Sequence, residues 1–371
     1  MSTGWLWDER YTTHDTRAWT LPWQQAHDHP ENAETKRRFA NLVARSGLEA
    51  HLTRITPREA TVAEIQRVHE PGYVERILTL SENGWGDVGD GETPFGPGSG
   101  AVARLAAGGV IACIDAVLDR TVGNAYALVR PPGHHAYAGG GMGYCVFNNT
   151  AIGVRYGQEE RNVGRVAIVD WDVHHGNGTE TIFYEDPTVL TVSIHQENLY
   201  PIGRGCREDN GSGAGAGANV NIPLPSASGG GAYLAAMQRV VVPALERFQP
   251  ELIIISSGFD SAAMDPFGRQ LLHSDSYRAL TRTLMAATTG LCNERIVAVH
   301  EGGYDPLMGP FCGLAVVETL ADRTTEVVDP WIASISALPE QELLPHHEVA
   351  VDNAAELVRR VPTPSRSEPV A

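Results

Sequence analysis

The chain has 371 residues, with 28 Lys and Arg against 45 Asp and Glu, so its formal charge is 28 − 45 = −17. That balance argues against a nucleic-acid partner, because phosphate backbones are held by clustered cations, and it suits cationic small ligands weakly. Five scattered cysteines (Cys113, Cys145, Cys206, Cys292, Cys312) make no disulfide framework, the first residues carry no basic-then-apolar signal, and no apolar stretch is expected to span a membrane, so a reducing cytoplasm is the expected setting.

Trp5 and Trp7 fit the packing of an early strand. Trp19 and Trp23, in a polar loop with His14, His27 and His29, are expected at a pocket rim or a subunit interface. A helix opens at 29–32 and runs to about 48, followed by short helices over 61–65 and 71–80. A Gly/Asp/Pro-rich loop over 84–99 carries Asp87, Asp90 and Glu92, and a long Ala-rich buried helix covers 100–118. Residues 125–129, 166–169, 252–255 and 295–299 read as buried strands, alternating with helices over 148–156, 232–248 and 275–289 in the rhythm of a parallel sheet. The glycine-rich stretch 196–217 is placed near the mouth of a site. No linker divides the chain, so 1–371 is read as one domain with a loose Pro/Ser-rich tail from about 362.

Chemistry gathers where those strands end. Asp172 and His174 stand two residues apart, and in an extended segment such positions share a side and can reach one ion. A third ligand must come from elsewhere, and Asp260 ends the most apolar strand. Two carboxylates and an imidazole fit zinc with an open fourth position, while ligand type leaves ferrous iron, cobalt and manganese open. Asp170 is a candidate to sit behind an imidazole. The adjacent pair His134 and His135 follows a Pro-Pro-Gly turn whose prolines restrict the loop, and it can supply a base for water and an acid for an amide leaving group. Tyr304, after Gly302 and Gly303, offers a hydroxyl donor for a developing oxyanion. Alone, each segment has an ordinary structural explanation; in combination they define a site.

RPPGHHA at 130–136, GYCVFNN at 143–149, VDWDVHHGNGT at 169–179, SIH at 193–195, SSGFDS at 256–261 and EGGY at 301–304 occur in this order. This set resembles the zinc-dependent histone deacetylase superfamily, class II branch, and within it bacterial deacetylase-like and acetylpolyamine amidohydrolase-like enzymes. The resemblance covers roughly 3–320. It implies an α/β arginase–deacetylase fold with about eight parallel strands between helices and an active site on loops at the strand C-terminal ends. It implies Asp172, His174 and Asp260 as zinc ligands, His134 and His135 as the histidine pair and Tyr304 as the catalytic tyrosine. Asp170 then stands behind His134, and Asn177 occupies the place behind the second histidine where class I members carry aspartate. Gly143 matches a backbone position of the substrate channel, Tyr144 replaces a usual channel phenylalanine, and Phe267 replaces the glutamate of polyamine-specific members. Asp170, Asp172, His174, Ser193 and Ile194 match a structural K+ or Na+ site, and Phe183, Asp186 and Val189 partly match a second.

The expected activity is zinc-dependent hydrolysis of an N-acyl amide, with a small acetylated amine such as an acetylpolyamine as leading substrate. Protein acetyl-lysine and small xenobiotic or secondary-metabolite amides are alternatives. A carboxylate from the 84–99 loop or from a neighbouring subunit is the candidate replacement for the missing glutamate. A metal-bearing binding module and a two-manganese ureohydrolase are the competing classes; the intact Tyr304 disfavours the first and Asn177 the second. The resemblance also implies a homo-oligomer, dimer or tetramer.

Overall fold

The computed structural model describes residues 1–19 and 23–364. Its centre is an eight-stranded, wholly parallel sheet: β1 (Thr3–Leu6), β2 (Thr53–Arg54), β3 (Asn124–Ala127), β4 (Val166–Asp170), β5 (Val189–Gln196), β6 (Asn219–Leu224), β7 (Leu252–Ser257) and β8 (Ile296–His300). The spatial order is β6-β5-β4-β7-β8-β3-β1-β2. Strands covered on both faces need apolar residues at every position. Accordingly Ile253 and Ile255 of β7 enter one core cluster, while Leu252 and Ile254 enter the other. Ser99–Leu118 and Asn149–Arg161 cover one face; Glu34–Arg45, Ser274–Thr288, Gly309–Leu320 and Pro345–Ala355 cover the other.

The connectivity makes the crevice. From β3 the chain crosses to β4 and proceeds outward to β6, then returns to insert β7 and β8 between them. In open α/β sheets, ligands bind beyond the strand carboxyl ends at such a reversal. Consequently β3, β8, β7 and β4 are consecutive neighbours, with Ser256 opposite Asp170 and Ser257 opposite His300.

Several expectations change. Ser99–Leu118 is long and apolar enough to cross a membrane, contrary to the sequence reading, but 67% of its apolar window is buried as a core helix. The helix expected over 232–248 starts at Gly230 and contains a π-helical segment, Met237–Val241, just before Pro243, whose missing N–H cannot continue the ordinary ladder. Strands β5 and β6 and the helices after 320 were not anticipated. The loop 196–217 is divided: Tyr200 reaches the channel, whereas the Cys206 and Asp209 carbonyls accept from the Asn221 and Asn219 side chains at the sheet edge. The chain is tied down as far as Pro362, whose carbonyl accepts from Arg165 at 3.1 Å; the expected loose tail beyond 364 lies outside the described residues. Trp5 is buried and Trp23 fully exposed, while the Trp19 side chain lies outside what is described. All five cysteines are free.

Candidate active site

Each of the four neighbouring strands delivers one segment. β4 ends at Asp170 and turns through Asp172 and His174; β7 leads to Asp260; β3 leads to His134 and His135; β8 leads to Glu301 and Tyr304. One ligand atom from each of Asp172, His174 and Asp260 lies within 4.8 Å of the others, all buried. His174 Nδ1 is 3.1 Å from Asp172 Oδ1 and 3.0 Å from Asp260 Oδ2. The remaining carboxylate oxygens are oriented by backbone amides: Gly302 N donates to Asp172 Oδ2 at 2.8 Å, and Val173 N to Asp260 Oδ1 at 2.8 Å. Glycine is needed here, since a Cβ on Gly302 would lie 2.3 Å from Asp260 Oδ2 and one on Gly258 2.1 Å from Asp172 Oδ2.

The electrostatics fit a cation. Burial opposes the charge of His174, yet Asp260 and Asp172 raise its pKa to about 10. Burial, with the Asp172 charge, pushes Asp260 up to about 7. The cluster therefore gathers protons where a divalent ion would take their place. His134, Cys145 and Glu301 form a second compact buried group. Glu301 Oε2 accepts from the Gly133 and His134 amides at 2.7 and 3.1 Å and His134 Nδ1 faces Asp170, while Glu301 Oε1 is buried without a hydrogen-bond partner. That group holds the histidine loop.

The histidine rings lie 4.0 Å apart and differ in their backing. His134 Nδ1–H donates to Asp170 Oδ2 at 3.0 Å, and His135 Nδ1–H donates to Asn177 Oδ1 at 2.7 Å. Asn177 Nδ2 in turn donates to the Met142 thioether at 3.3 Å. Burial disfavours the imidazolium of His134, but Asp172 and Asp170 overcome it and raise its pKa well above the usual range. Burial and the His134 and His174 charges push His135 well below it. Each ring thus has Nδ1 engaged by its backing residue and leaves Nε2 clear of that bond, and the carboxylate charges of Asp172 and Asp170 bear on His134.

Above this floor is a cavity of about 260 Å³ reached past Gly143, Tyr144, Tyr200 and Phe267, with Tyr304 on its wall and Glu92 lining it. The Tyr304 ring packs edge-on to Tyr144 at 5.6 Å and Phe267 at 5.0 Å. Tyr200 stands edge-on to His135 at 5.1 Å. Asp265 supports one wall by accepting from Phe267 N at 3.0 Å and Tyr304 N at 2.6 Å. Behind Tyr304 the Lys36 ammonium, 5.5 Å from its ring centre, pairs with Glu31 at 3.0 Å; Arg130 pairs with Glu31 from the other side at 2.9 Å, all three buried.

The sequence reading thus places Asp170, Asp172, His174, Asn177, Asp260, His134, His135 and Tyr304 together, and Gly143, Tyr144 and Phe267 along the channel. It did not find Tyr200, because a glycine-rich loop has no periodicity to aim a side chain. It did not find Glu31 and Lys36, five residues apart near a helix start. Of the cation-site residues, Asp170 and Ser193 stand opposite each other on β4 and β5. Asp186, near Phe183 and Val189, has its carboxylate engaged by Arg155 and Thr188.

A family model described as histone deacetylase domain matches residues 29–320. The chain is 46% identical over 336 residues to the histone deacetylase-like amidohydrolase of Pseudomonas aeruginosa, covering 88% of each. It is 35% identical over 336 residues to the human polyamine deacetylase HDAC10, covering 87% of this chain and 50% of that protein. The crystal structure of the HDA15 HD domain superposes with a TM-score of 0.81 at 32% identity, covering 95% of this chain and 99% of that one. The family's members are zinc-dependent. The ordered motifs, the parallel sheet and these alignments agree, and the chain belongs to the histone deacetylase family as a deacetylase-type amidohydrolase.

Proposed function

We propose that this enzyme removes the acetyl group from a small, slender amine carrying a distant positive charge, an acetylated diamine or polyamine. The observation that carries this reading is the narrow aromatic channel with the Glu92 carboxylate along it. Phe267 reads no charge, and Glu92 supplies the carboxylate from within the same chain. A folded protein surface bearing acetyl-lysine is the weaker reading, because Tyr144, Tyr200 and Phe267 crowd the approach.

In this reading Asp172, His174 and Asp260 hold zinc, which when bound supplies Lewis acidity and lowers the pKa of water. His135 Nε2 takes a proton from the attacking water and returns it to the amine nitrogen as the C–N bond breaks. His134, oriented by its bond to Asp170, stabilises the developing negative charge, and the Tyr304 hydroxyl donates to the oxyanion. Lys36 behind the Tyr304 ring favours the same charge. A structural K+ or Na+ beside Asp170, Asp172, His174, Ser193 and Ile194 belongs to this reading, as does a homo-oligomer, for which the fully exposed Trp23 speaks.

The test is a steady-state panel on one zinc-loaded preparation: acetylcadaverine, acetylputrescine, an uncharged amide of equal length and an acetyl-lysine peptide. The acetylated diamines should give the highest kcat/KM. A histone-tail peptide turned over faster than either diamine would overturn the reading.

A further inference from the structure

The short hairpin Gly86–Asp87 with Pro94–Phe95 carries Asp90 at its turn. Asp90 Oδ1 accepts from the amides of Glu92 and Thr93 at 3.0 and 2.9 Å, which fixes the turn bearing Glu92. Its other oxygen accepts from the Thr93 hydroxyl at 2.8 Å and reaches across to the Gly143 amide at 3.0 Å. The Thr93 hydroxyl in turn accepts from the Tyr144 amide at 2.8 Å. Gly143 and Tyr144 both have left-handed backbones, with φ 55° and 69°. An aromatic residue adopts that conformation only where its surroundings enforce it, and here the enforcing bonds come from the hairpin, about fifty positions earlier in the chain. Asp90 does not line the channel.

We infer that Asp90 is a specificity-positioning residue: one carboxylate couples the Glu92 turn to the Gly143–Tyr144 wall and so sets both the width of the channel and the place of its charge. The inference rests on the reading of Glu92 and the aromatic channel as the substrate-selecting elements. It predicts that loss of Asp90 disturbs recognition of charged and uncharged amides alike, because both depend on the wall, and leaves the chemistry beneath largely intact.

The test uses the zinc-loaded full-length enzyme with acetylcadaverine and its uncharged counterpart N-hexylacetamide. Asp90→Ala should raise KM for both about tenfold, the scale of a lost charge-assisted hydrogen bond, with kcat within about threefold. Asp90→Asn keeps one oxygen for the turn amides and loses the one facing Gly143; it should also raise KM for the uncharged amide, and it carries the test if the alanine variant does not fold. An unchanged KM for N-hexylacetamide in the folded variant, or a fall in kcat at constant KM, would overturn the inference. Glu92→Gln, measured in parallel, reads charge recognition alone: if it leaves the cation's advantage untouched, the reading of Glu92 fails while the Asp90 result on the uncharged amide still decides the role of the wall.

Discussion

The floor of the site and its mouth are built by opposite means. At the floor, Asp172 and Asp260 are wholly buried, each is aimed by a backbone amide, and the four contributing segments leave neighbouring strands of one rigid sheet. At the mouth, Glu92 is exposed, and position depends on a two-residue-strand hairpin and an irregular loop. The contrast suggests a division of labour: reaction chemistry belongs to the sheet ends, where no side chain can move independently, and selection belongs to loops that can change without disturbing it.

The strongest way to break the comparison is to strike the floor. Asp260→Ala should cost at least about a hundredfold in metal affinity and abolish turnover together with it. Metal analysis beside an activity assay decides this; full occupancy with normal turnover would show that Asp260 is not a ligand.

The next effect reaches the floor from behind. Removing Glu31 leaves Arg130 and Lys36 buried and unpaired, so Glu31→Ala should lower unfolding free energy by about 3–5 kcal/mol. Burial opposes the charge of Glu31, but Arg130 and Lys36 hold its pKa well below the ordinary glutamate value of 4.5. Its contribution is therefore complete above pH 4.5 and declines as pH falls below that. Urea melts of the wild type at pH 7 and pH 4 should differ, and the variant should lose part of that difference. Equal pH dependence in the two proteins would remove Glu31 from the account.

The histidine pair tests whether the floor is divided within itself. His135→Ala should reduce kcat by on the order of a hundredfold or more, with His134→Ala less damaging. A larger loss from His134→Ala would exchange the two roles.

The smallest expected effect is at the mouth and sharpens the contrast. Glu92→Gln should reduce the preference for acetylcadaverine over an uncharged amide of equal length by roughly tenfold, the scale of one charge-assisted contact. A comparable loss of kcat on both substrates would mean that mouth and floor are not separable.

The sequence by itself determined the four buried strands that carry the site and the reacting groups at their ends. Runs such as Leu252–Ser257 must be buried on both faces, and the spacing of Asp172 and His174 is a local property of an extended chain. The roles assigned to Asn177, Gly143 and Phe267 came from resemblance, and the structure shows the geometry beside them. Only the tertiary structure decided which way the loops point: that Tyr200 enters the channel, that Glu92 arrives from the same chain, that Asp90 ties the hairpin to Tyr144, and that Glu31 joins Arg130 and Lys36 behind Tyr304. These contacts join residues far apart in the chain through single hydrogen bonds and ion pairs, and they leave no periodic trace in sequence, whereas the apolar runs are repeated locally along each strand and can be read from it directly.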